Sequence, residues 1–374
     1  MSFELFSNSV FSNQEKKVCI VQFEAVHECI TPSFVHSLNS LGFTVDIYLS
    51  EKIRSRKGDI YEFFPELNAR VFYFELNTIQ KLKAFSEHLN SSDYRACIFS
   101  TYQWPMTINF SQDIQFPFFG VVHNTKIFTD TWKELQPHPN KNLKGFLTLE
   151  DHVKSSLLSK IKEISNFPEI STNVIRMCYW RSLHKLNPDS IPSRPISIAV
   201  PGGISFRNRN FTGLLDALEK NKGICEEIKI IVAGGGQDRD LLIKEINNKK
   251  LGNSFALVPT ESSGLVSYSN YIPALNSADF CLPLSGDKSY QETKITSAIP
   301  TSIGNMLPAL ITKESNFIYK IPCFEYSSDI SEGLQNLIEL NNSEILAKKR
   351  DILSFLLKNL SKNSEAIKKA IENC

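Results

Sequence analysis

The sequence lacks the features that mark membrane, secreted and nucleic-acid-binding proteins. No apolar run approaches the ~18 residues of a membrane span, and the first 17 residues have no basic start followed by an apolar stretch. Lys and Arg number 41 against 40 Asp and Glu, so the net charge of +1 attracts neither nucleic acid nor an anionic membrane. We therefore expect a cytosolic protein that does not bind nucleic acid.

The cysteines lack any C-x-x-C spacing, although the chain has eight of them. Cys19, Cys97 and Cys281 lie inside apolar runs, which is typical of reduced core cysteines rather than of disulfides or zinc ligands. The sequence therefore predicts no cysteine-based metal site.

Length and apolar content are sufficient for two domains. The 374 residues, 42% of them hydrophobic, suit two units of roughly 150 to 200 residues each. In both halves short apolar runs alternate with helical patterns, which favours parallel sheets with helices on both faces. We predict an α/β protein of two Rossmann-like domains that face each other across a cleft.

The boundary between the domains is predicted in Asn187–Pro195, where three prolines in nine residues disfavour both helix and central strand. It gives an N-terminal domain of residues 1–190 and a C-terminal domain of residues 191–374. Residues 343–371 form an amphipathic helical pattern that could pack back on the N-terminal domain. Residues 1–15 are expected to form a loose tail.

The second half opens with a strand and a loop of the kind that binds phosphate. An apolar strand, residues 196–200, is followed by Gly202 and Gly203, and then by Arg207 and Arg209 ahead of a helix. Ligands of open α/β sheets bind beyond the carboxyl ends of the strands, where backbone amides and arginines favour anions. We predict that these glycines and arginines bind a diphosphate. The alternative is a surface loop with solvated arginines.

A second glycine loop, AGGGQDRD, follows the next strand. Gly234 and Gly235 would let the backbone approach a nucleotide closely, but the spacing is not the G-x-G-x-x-G of nicotinamide and flavin proteins. Asp238 and Asp240 form an Asp-x-Asp pair of the kind that holds a divalent ion in some enzymes. Capping and the helix dipole explain acidic residues at the start of a helix, so we predict no metal site.

The stretch SYQETKITSAIPTSIGNMLPALIT is expected to contain a helix over residues 293–303 with a bend at Pro300. Lys294 would add a positive charge at the same sheet edge as the glycine loops. Glu292 could accept hydrogen bonds from a ribose, and Thr293 or Thr296 could donate one to a phosphate. The alternative is an ordinary capped helix with a polar first turn.

In its two-domain layout and in these motifs, the chain resembles the GT-B glycosyltransferases, particularly families 1 and 4. PGGISFRNRNF is similar to the loop in which that fold places a basic residue on the donor diphosphate. ETKITSAIPTSIGNMLPALI is similar to the stretch with two glutamates seven residues apart; aligned on Pro308, those two positions hold Thr293 and Thr301. The resemblance implies a polysaccharide-synthesis enzyme that transfers a sugar from a nucleotide-diphosphate donor to a glycan or lipid-linked acceptor, without metal or cofactor.

In this interpretation the first half holds the acceptor, and polar residues that follow its strands face the cleft. His123 directly follows a buried strand and is our main candidate for a general base, with Glu24 as the second. His27 and Glu150 are predicted to lie on the same acceptor side. Each of these residues could instead be an ordinary polar group in a loop.

Two other functions fit the same layout. A nucleotide-sugar 2-epimerase would need a carboxylate and a histidine near the anomeric carbon, for which Glu24, His123 and Glu150 are candidates. A non-catalytic protein that binds sugar nucleotides would explain the absence of the glutamate pair. The seven basic residues between Lys348 and Lys369 either contact the inner face of a membrane peripherally or form a solvated helix face. The oligomeric state stays open.

Overall fold

The computed structural model describes residues 5–6, 16–138, 140–165 and 167–372, and these residues form two sheets surrounded by helices. The first sheet has eight strands: β1 Leu5–Phe6, β2 Lys17–Gln22, β3 Thr44–Ser50, β4 Ala69–Phe74, β5 Tyr94–Phe99, β6 Phe118–Val122, β7 Leu143–Thr148 and β8 Ser171–Val174. The second sheet has six: β9 Ile196–Pro201, β10 Ile228–Ala233, β11 Phe255–Leu257, β12 Phe280–Cys281, β13 Ala309–Thr312 and β14 Cys323–Tyr326.

Fifteen helices are described, six before the second sheet and nine within and after it. The first six are α1 Thr31–Ser40, α2 Glu51–Lys57, α3 Ile79–Ser91, α4 Pro105–Ser111, α5 Thr125–Leu135 and α6 Asp151–Ile161. The other nine are α7 Phe211–Lys220, α8 Lys222–Glu227, α9 Arg239–Asn248, α10 Tyr268–Asn276, α11 Ser289–Glu292, α12 Ala298–Gly304, α13 Lys313–Tyr319, α14 Ile330–Glu339 and α15 Asn342–Glu372.

Both sheets have the strand order of a doubly wound nucleotide-binding fold. The second sheet runs β11-β10-β9-β12-β13-β14, and six central strands of the first run β4-β3-β2-β5-β6-β7, with every one of these pairs parallel. In each sheet the order reverses beside the first long strand, β2 or β9. Ligands of open α/β sheets bind at this reversal point. The predicted α/β fold of two Rossmann-like units is confirmed.

Three strands were not predicted from the sequence. β8 and β14 are short edge strands whose side chains are only partly buried, so they lack the continuous apolar run that predicts a central strand. Leu5–Phe6 pairs antiparallel with β4, so the expected loose tail is wrong for these two residues. The rest of that tail, residues 1–4 and 7–15, lies outside the described residues.

The core of the first half is rich in aromatic rings. Phe23 contacts Phe110 edge to face with ring centroids 4.8 Å apart, and Phe85 stacks on Phe110 at 5.5 Å. Such pairs add to the free energy gained from burying the rings. This packing fixes the ends of β2 and β5, whose following loops reach the space between the two sheets.

The final helix crosses from the second half back to the first. α15 packs against α1, and the hydroxyls of Ser364 and Ser40 lie 2.8 Å apart. The Asn363 side chain accepts a hydrogen bond from the backbone N–H of Arg176 at 2.8 Å and donates one to the Arg176 carbonyl at 2.8 Å. These bonds tie the end of the chain to the segment that leads out of the first sheet. No helix in the described part of the chain combines the length and the apolar character that a bilayer crossing requires.

The helix predicted over residues 293–303 is wrong in its first half. α11 ends at Glu292, residues 293–297 are not helical, and α12 begins at Ala298. Pro300 is therefore the third residue of a new helix rather than a bend within one. Proline is tolerated there because the first backbone N–H groups of a helix have no partner within it.

Candidate functional site

A cavity of about 480 Å³ lies between the carboxyl ends of the two sheets. We call it the large cavity. One wall comes from the loops after β2, β5 and β6, and the other from the loop after β9 and from residues 290–297. Both reversal points of strand order therefore border the same space, which is where a doubly wound fold binds its ligand.

Arg209 is the central charged residue of the second-half wall. It is 6% exposed, and its guanidinium donates hydrogen bonds from Nε to the Gly203 carbonyl at 3.0 Å and from Nη1 to the Pro283 carbonyl at 2.5 Å. No carboxylate forms an ion pair with it among the described residues. Burial lowers the pKa of Arg209 from its usual value, but arginine remains protonated in proteins. The cavity wall thus holds a buried positive charge without a counter-ion.

The glycines beside Arg209 are required by close backbone packing. Gly202 has a φ of 94°, and a Cβ there would collide with Nη2 of Arg209. A Cβ on Gly234 would collide with the Gly202 carbonyl, and one on Gly235 with the Gly264 carbonyl. Of these four glycines, only Gly203 would accept a Cβ without a collision, because its nearest neighbour, the Gly235 carbonyl oxygen, would lie at a van der Waals distance of 3.8 Å. Gly203 is therefore the position where the backbone is open to the large cavity.

Lys294 also lines the large cavity, in the non-helical segment between α11 and α12. Its Nζ lies 3.2 Å from Oδ2 of Asp287 and 4.2 Å from the centroid of the Tyr290 ring. The segment is attached to the first half, because the backbone N–H of Thr125 donates to the Thr293 carbonyl at 2.9 Å and Nε2 of His152 lies 3.1 Å from the Lys294 carbonyl. The hydrogen bonds to Thr125 and His152 thus fix the position of Lys294 beside the first half. Asp287 neutralises part of its positive charge.

Two stacked histidines form the facing part of the first-half wall. The rings of His27 and His123 lie 4.0 Å apart at an angle of 13°. Nε2 of His123 lies 2.7 Å from the Ser100 carbonyl. A carbonyl can only accept, so Nε2 carries the proton and Nδ1 of the neutral ring is an acceptor.

Both histidines are neutral at pH 7. Burial, reinforced by the charge of Lys57, lowers the pKa of His27 to about 4. Burial and the neighbouring His27 lower the pKa of His123 well below its usual value, against an opposing effect of the Ser100 carbonyl. A neutral imidazole can accept a proton, which a base in this cavity must do.

Solved structures match nearly the whole chain, although no family model and no curated protein matches its sequence. A glycosyltransferase from Rickettsia africae is 14% identical, with a TM-score of 0.65 over 97% of this chain and 100% of the other. Anabaena HepE, in complex with UDP and glucose, is 9% identical with a TM-score of 0.64 over 96% and 100%. The pneumococcal O-GlcNAc transferase GtfA, in complex with UDP and GlcNAc, is 10% identical with a TM-score of 0.60 over 96% and 99%.

The chain has the GT-B fold. The resemblance inferred from the sequence is confirmed at the level of the fold. The large cavity corresponds to the cleft between the two halves of this GT-B chain.

Three residues predicted to bind the donor, Arg207, Glu292 and Thr293, do not line the GT-B cleft. Arg207 is exposed and does not line the large cavity, because the loop turns only Arg209 inward. Glu292 is exposed at the end of α11 and also does not line it. Thr293 does not line it either; its backbone carbonyl accepts a hydrogen bond from the backbone N–H of Thr125. The sequence identified the right loops but could not orient these side chains.

Two carboxylates predicted on the acceptor side do not line the cleft. Glu150 is held by Arg176, whose Nε lies 2.9 Å from its Oε2. Burial raises the pKa of Glu150 to about 7, although the charge of Arg176 opposes the shift. Burial also raises the pKa of Glu24, against the charge of Lys52. Neither Glu24 nor Glu150 lines the large cavity, so the structure does not bring them together with His123.

Three residues that line the large cavity were missed in the sequence. Gln103 accepts hydrogen bonds from the backbone N–H groups of His123 and Asn124, at 3.1 and 2.8 Å, and so positions the histidine. Nε1 of Trp104 and Oδ1 of Asn208 are buried without a partner in the described part of the chain. Position just after a strand was the available signal for the first two, because Gln103 and Trp104 follow β5.

The charged residues that line the large cavity are Arg209 and Lys294, both cationic. No cluster of three or more His, Cys, Asp or Glu side chains suited to a metal ion occurs among the described residues. Asp238 accepts a hydrogen bond from the backbone N–H of Phe206 at 2.8 Å and so joins the two glycine loops. The electrostatics of the cavity favour an anionic ligand.

Proposed function

We propose that this protein is a glycosyltransferase that transfers a sugar from a nucleotide-diphosphate donor to an acceptor bound in the cleft. The observation that carries the proposal is the buried guanidinium of Arg209, which lines the large cavity and has no carboxylate partner among the residues that the structure describes. A buried charge left unpaired is unfavourable. A diphosphate in the cavity would supply the missing counter-ion and accept charge-assisted hydrogen bonds.

The same cations would assist the reaction. As the bond between the sugar and the diphosphate breaks, negative charge accumulates on the leaving phosphate. Arg209 and Lys294 are fixed at the edge of the cavity, so they would stabilise that charge more in the transition state than in the ground state. We propose on this basis that transfer needs neither a metal ion nor a cofactor.

His123 is the proposed base. Its Nδ1 is an acceptor at neutral pH, and Gln103 holds its backbone in place. An acceptor hydroxyl that approaches from the first-half wall could pass its proton to this nitrogen. We propose a glycan or a lipid-linked sugar as the acceptor, because Val26, Trp104 and Ile127 give that wall an apolar surface beside the histidines.

UDP is the nucleotide to test first. The HepE and GtfA structures contain UDP together with glucose and GlcNAc, respectively. We expect a thermal-shift screen with UDP, GDP, ADP and CMP to single out one nucleotide. A ligand at about 100 times its dissociation constant stabilises the fold by roughly 2.7 kcal/mol. If none of the four raises the melting temperature, the proposed function is wrong.

Turnover distinguishes transfer from the other functions. Incubation with UDP-sugars and candidate acceptors is expected to release UDP, whereas a protein that only binds the nucleotide would release none. Incubation without acceptor would reveal an epimerase by isomer formation. We do not favour the epimerase, because no carboxylate of the described residues, Glu24 and Glu150 included, lines the large cavity.

A further inference from the structure

A second cavity of about 230 Å³ adjoins the large cavity and shares His27, Cys29, Gly203 and Ser297 with it. We call it the small cavity. Its second-half wall is formed by the glycine loops after β9 and β10, including Gly202 and Gly234. Because Gly202 contacts Arg209, the small cavity begins beside the guanidinium that we assign to the diphosphate.

The first half contributes a carboxylate to the small cavity. Glu28 has no exposed surface, although it follows the loop after β2. Its Oε1 accepts a hydrogen bond from Nζ of Lys57 at 2.7 Å and another from the hydroxyl of Tyr268 on α10. The carboxylate is therefore fixed in position by one residue from each half of the chain.

The other oxygen of this carboxylate has no partner. Oε2 of Glu28 is buried and makes no hydrogen bond within the described residues, and the same is true of Nε1 of Trp180, which also lines the small cavity. A buried polar atom without a partner is costly. Two residues that line the small cavity thus each carry a buried, unsatisfied polar atom, an acceptor in Glu28 and a donor in Trp180, which suits a ligand part with hydroxyl groups.

The position of the small cavity indicates which hydroxyl-bearing part of the ligand would occupy it. A nucleotide-diphosphate sugar has the sugar at one end of the diphosphate and the ribose at the other. With the diphosphate at Arg209, the sugar fits the large cavity, where His123 lies, and the nucleoside fits the small cavity between the glycine loops. The first hydroxyl groups beyond the diphosphate on that side are those of the ribose.

We propose that Glu28 accepts hydrogen bonds from the ribose hydroxyls of the donor and makes the site selective for ribonucleotides. This inference rests on the proposed function, since it takes the ligand to be a nucleotide. Glu28 would then be a specificity-determining residue that the first half supplies to a nucleotide held mainly by the second half. Neutral side chains at positions 293 and 301 are compatible with this assignment, because the carboxylate comes from the opposite wall.

The test compares the affinities of UDP, 2′-deoxy-UDP and 3′-deoxy-UDP by titration calorimetry. We expect the wild-type protein to bind UDP roughly 10-fold or more tightly than at least one deoxy analogue, because hydrogen bonds to a charged group are stronger than neutral ones. In Glu28→Gln this ratio should fall towards one. In the matched control Glu66→Gln it should not change, since Glu66 also accepts from a tyrosine and a serine but does not line either cavity.

Each outcome decides the question. Equal affinities for UDP and both deoxy analogues in the wild-type protein would overturn the role of Glu28, even though UDP binding supports the proposed function. An undiminished ratio in Glu28→Gln would overturn it as well. If UDP does not bind at all, the proposed function fails together with this inference. Should Glu28→Gln not fold, Glu28→Gln with Lys57→Met removes the unpaired cation and allows the same measurement.

Discussion

The two halves of the molecule share a strand order but differ in the charge of the side chains that they present to the cleft. The second half contributes cations, Arg209 and Lys294, from loops whose glycines pack backbone against backbone. The first half contributes the neutral pair His27 and His123. One topology therefore supports two electrostatic roles, because the loops after the strands set the chemistry while the strands only position them.

The difference has a physical origin in desolvation. Burial lowers the pKa of a histidine until the ring is neutral, whereas an arginine keeps its charge in the same kind of environment. The cleft thus has one wall that attracts an anion and one wall that can accept a proton. Substitutions on each wall test whether this division is real.

We expect the largest loss of activity from a substitution of Arg209 in the second-half wall. Arg209→Met should reduce transfer by roughly 100- to 1,000-fold, as loss of a preorganised donor does in other enzymes, and should weaken UDP binding. Steady-state kinetics and calorimetry would measure both. Arg207→Met is the matched control in the same loop, and we expect it to behave like the wild type because Arg207 is exposed. If the two variants lose activity equally, the assignment of the charge to Arg209 is wrong.

Substitutions in the glycine loops should affect stability and nucleotide binding separately. Gly234→Ala places a Cβ against the Gly202 carbonyl and should lower the free energy of unfolding by roughly 3 kcal/mol. In Gly203→Ala the added Cβ makes only an ordinary van der Waals contact, so the variant should keep its stability while it weakens nucleotide binding. Urea denaturation measures the first effect and calorimetry the second. A stable Gly234→Ala protein would show that the loops can move apart.

Because the histidines of the first-half wall are neutral in the folded protein, we expect the protein to lose stability in acid. The pKa of His27 is about 4 in the folded protein and about 6.5 when the chain is unfolded. Between these values the unfolded chain binds more protons, so stability falls as the pH drops from about 6.5 towards 4. Over this range His27 lowers the free energy of unfolding by roughly 3 kcal/mol, which denaturation at several pH values would measure.

The matched variant for this experiment is His27→Asn. Asparagine does not titrate and tolerates the positive φ of 71° at this position. We expect a flatter dependence of stability on pH, with a residual slope from His123, whose pKa is also lowered. An unchanged slope would mean that His27 is not held neutral by the fold.

The smallest expected effect concerns Lys294. Asp287 already balances part of its charge, so Lys294→Met should weaken UDP binding by only about 5-fold, in the range of a partly screened ion pair. Lys288→Met is the control, since Lys288 lies just before α11, is exposed and does not line the large cavity. An effect as large as that of Arg209→Met would show that Lys294 carries more of the phosphate charge than its pairing suggests.

Sequence reasoning reached the loops of the site but not the orientation of their side chains. The strand before Gly202 and the strand before His123 are apolar runs that end abruptly, and this pattern predicts where polar groups meet the cleft. Which of Arg207 and Arg209 points into the cavity depends on the conformation of the loop. Loops have no regular hydrophobic period from which the direction of a side chain could be predicted. Glu28 was missed because nothing local distinguishes a carboxylate that closes a cavity from one that caps a turn.

The sequence by itself determined the α/β class, the two sheets and the loops at their carboxyl ends, because apolar periodicity and glycine or proline breaks act over a few residues. The tertiary structure alone decided that His27 stacks on His123, that Lys57 and Tyr268 hold Glu28, and that Arg209 is buried without a counter-ion from the described part of the chain. These contacts join residues that are far apart in the chain. Their pKa values and unsatisfied atoms arise from burial, which depends on how the two halves pack together.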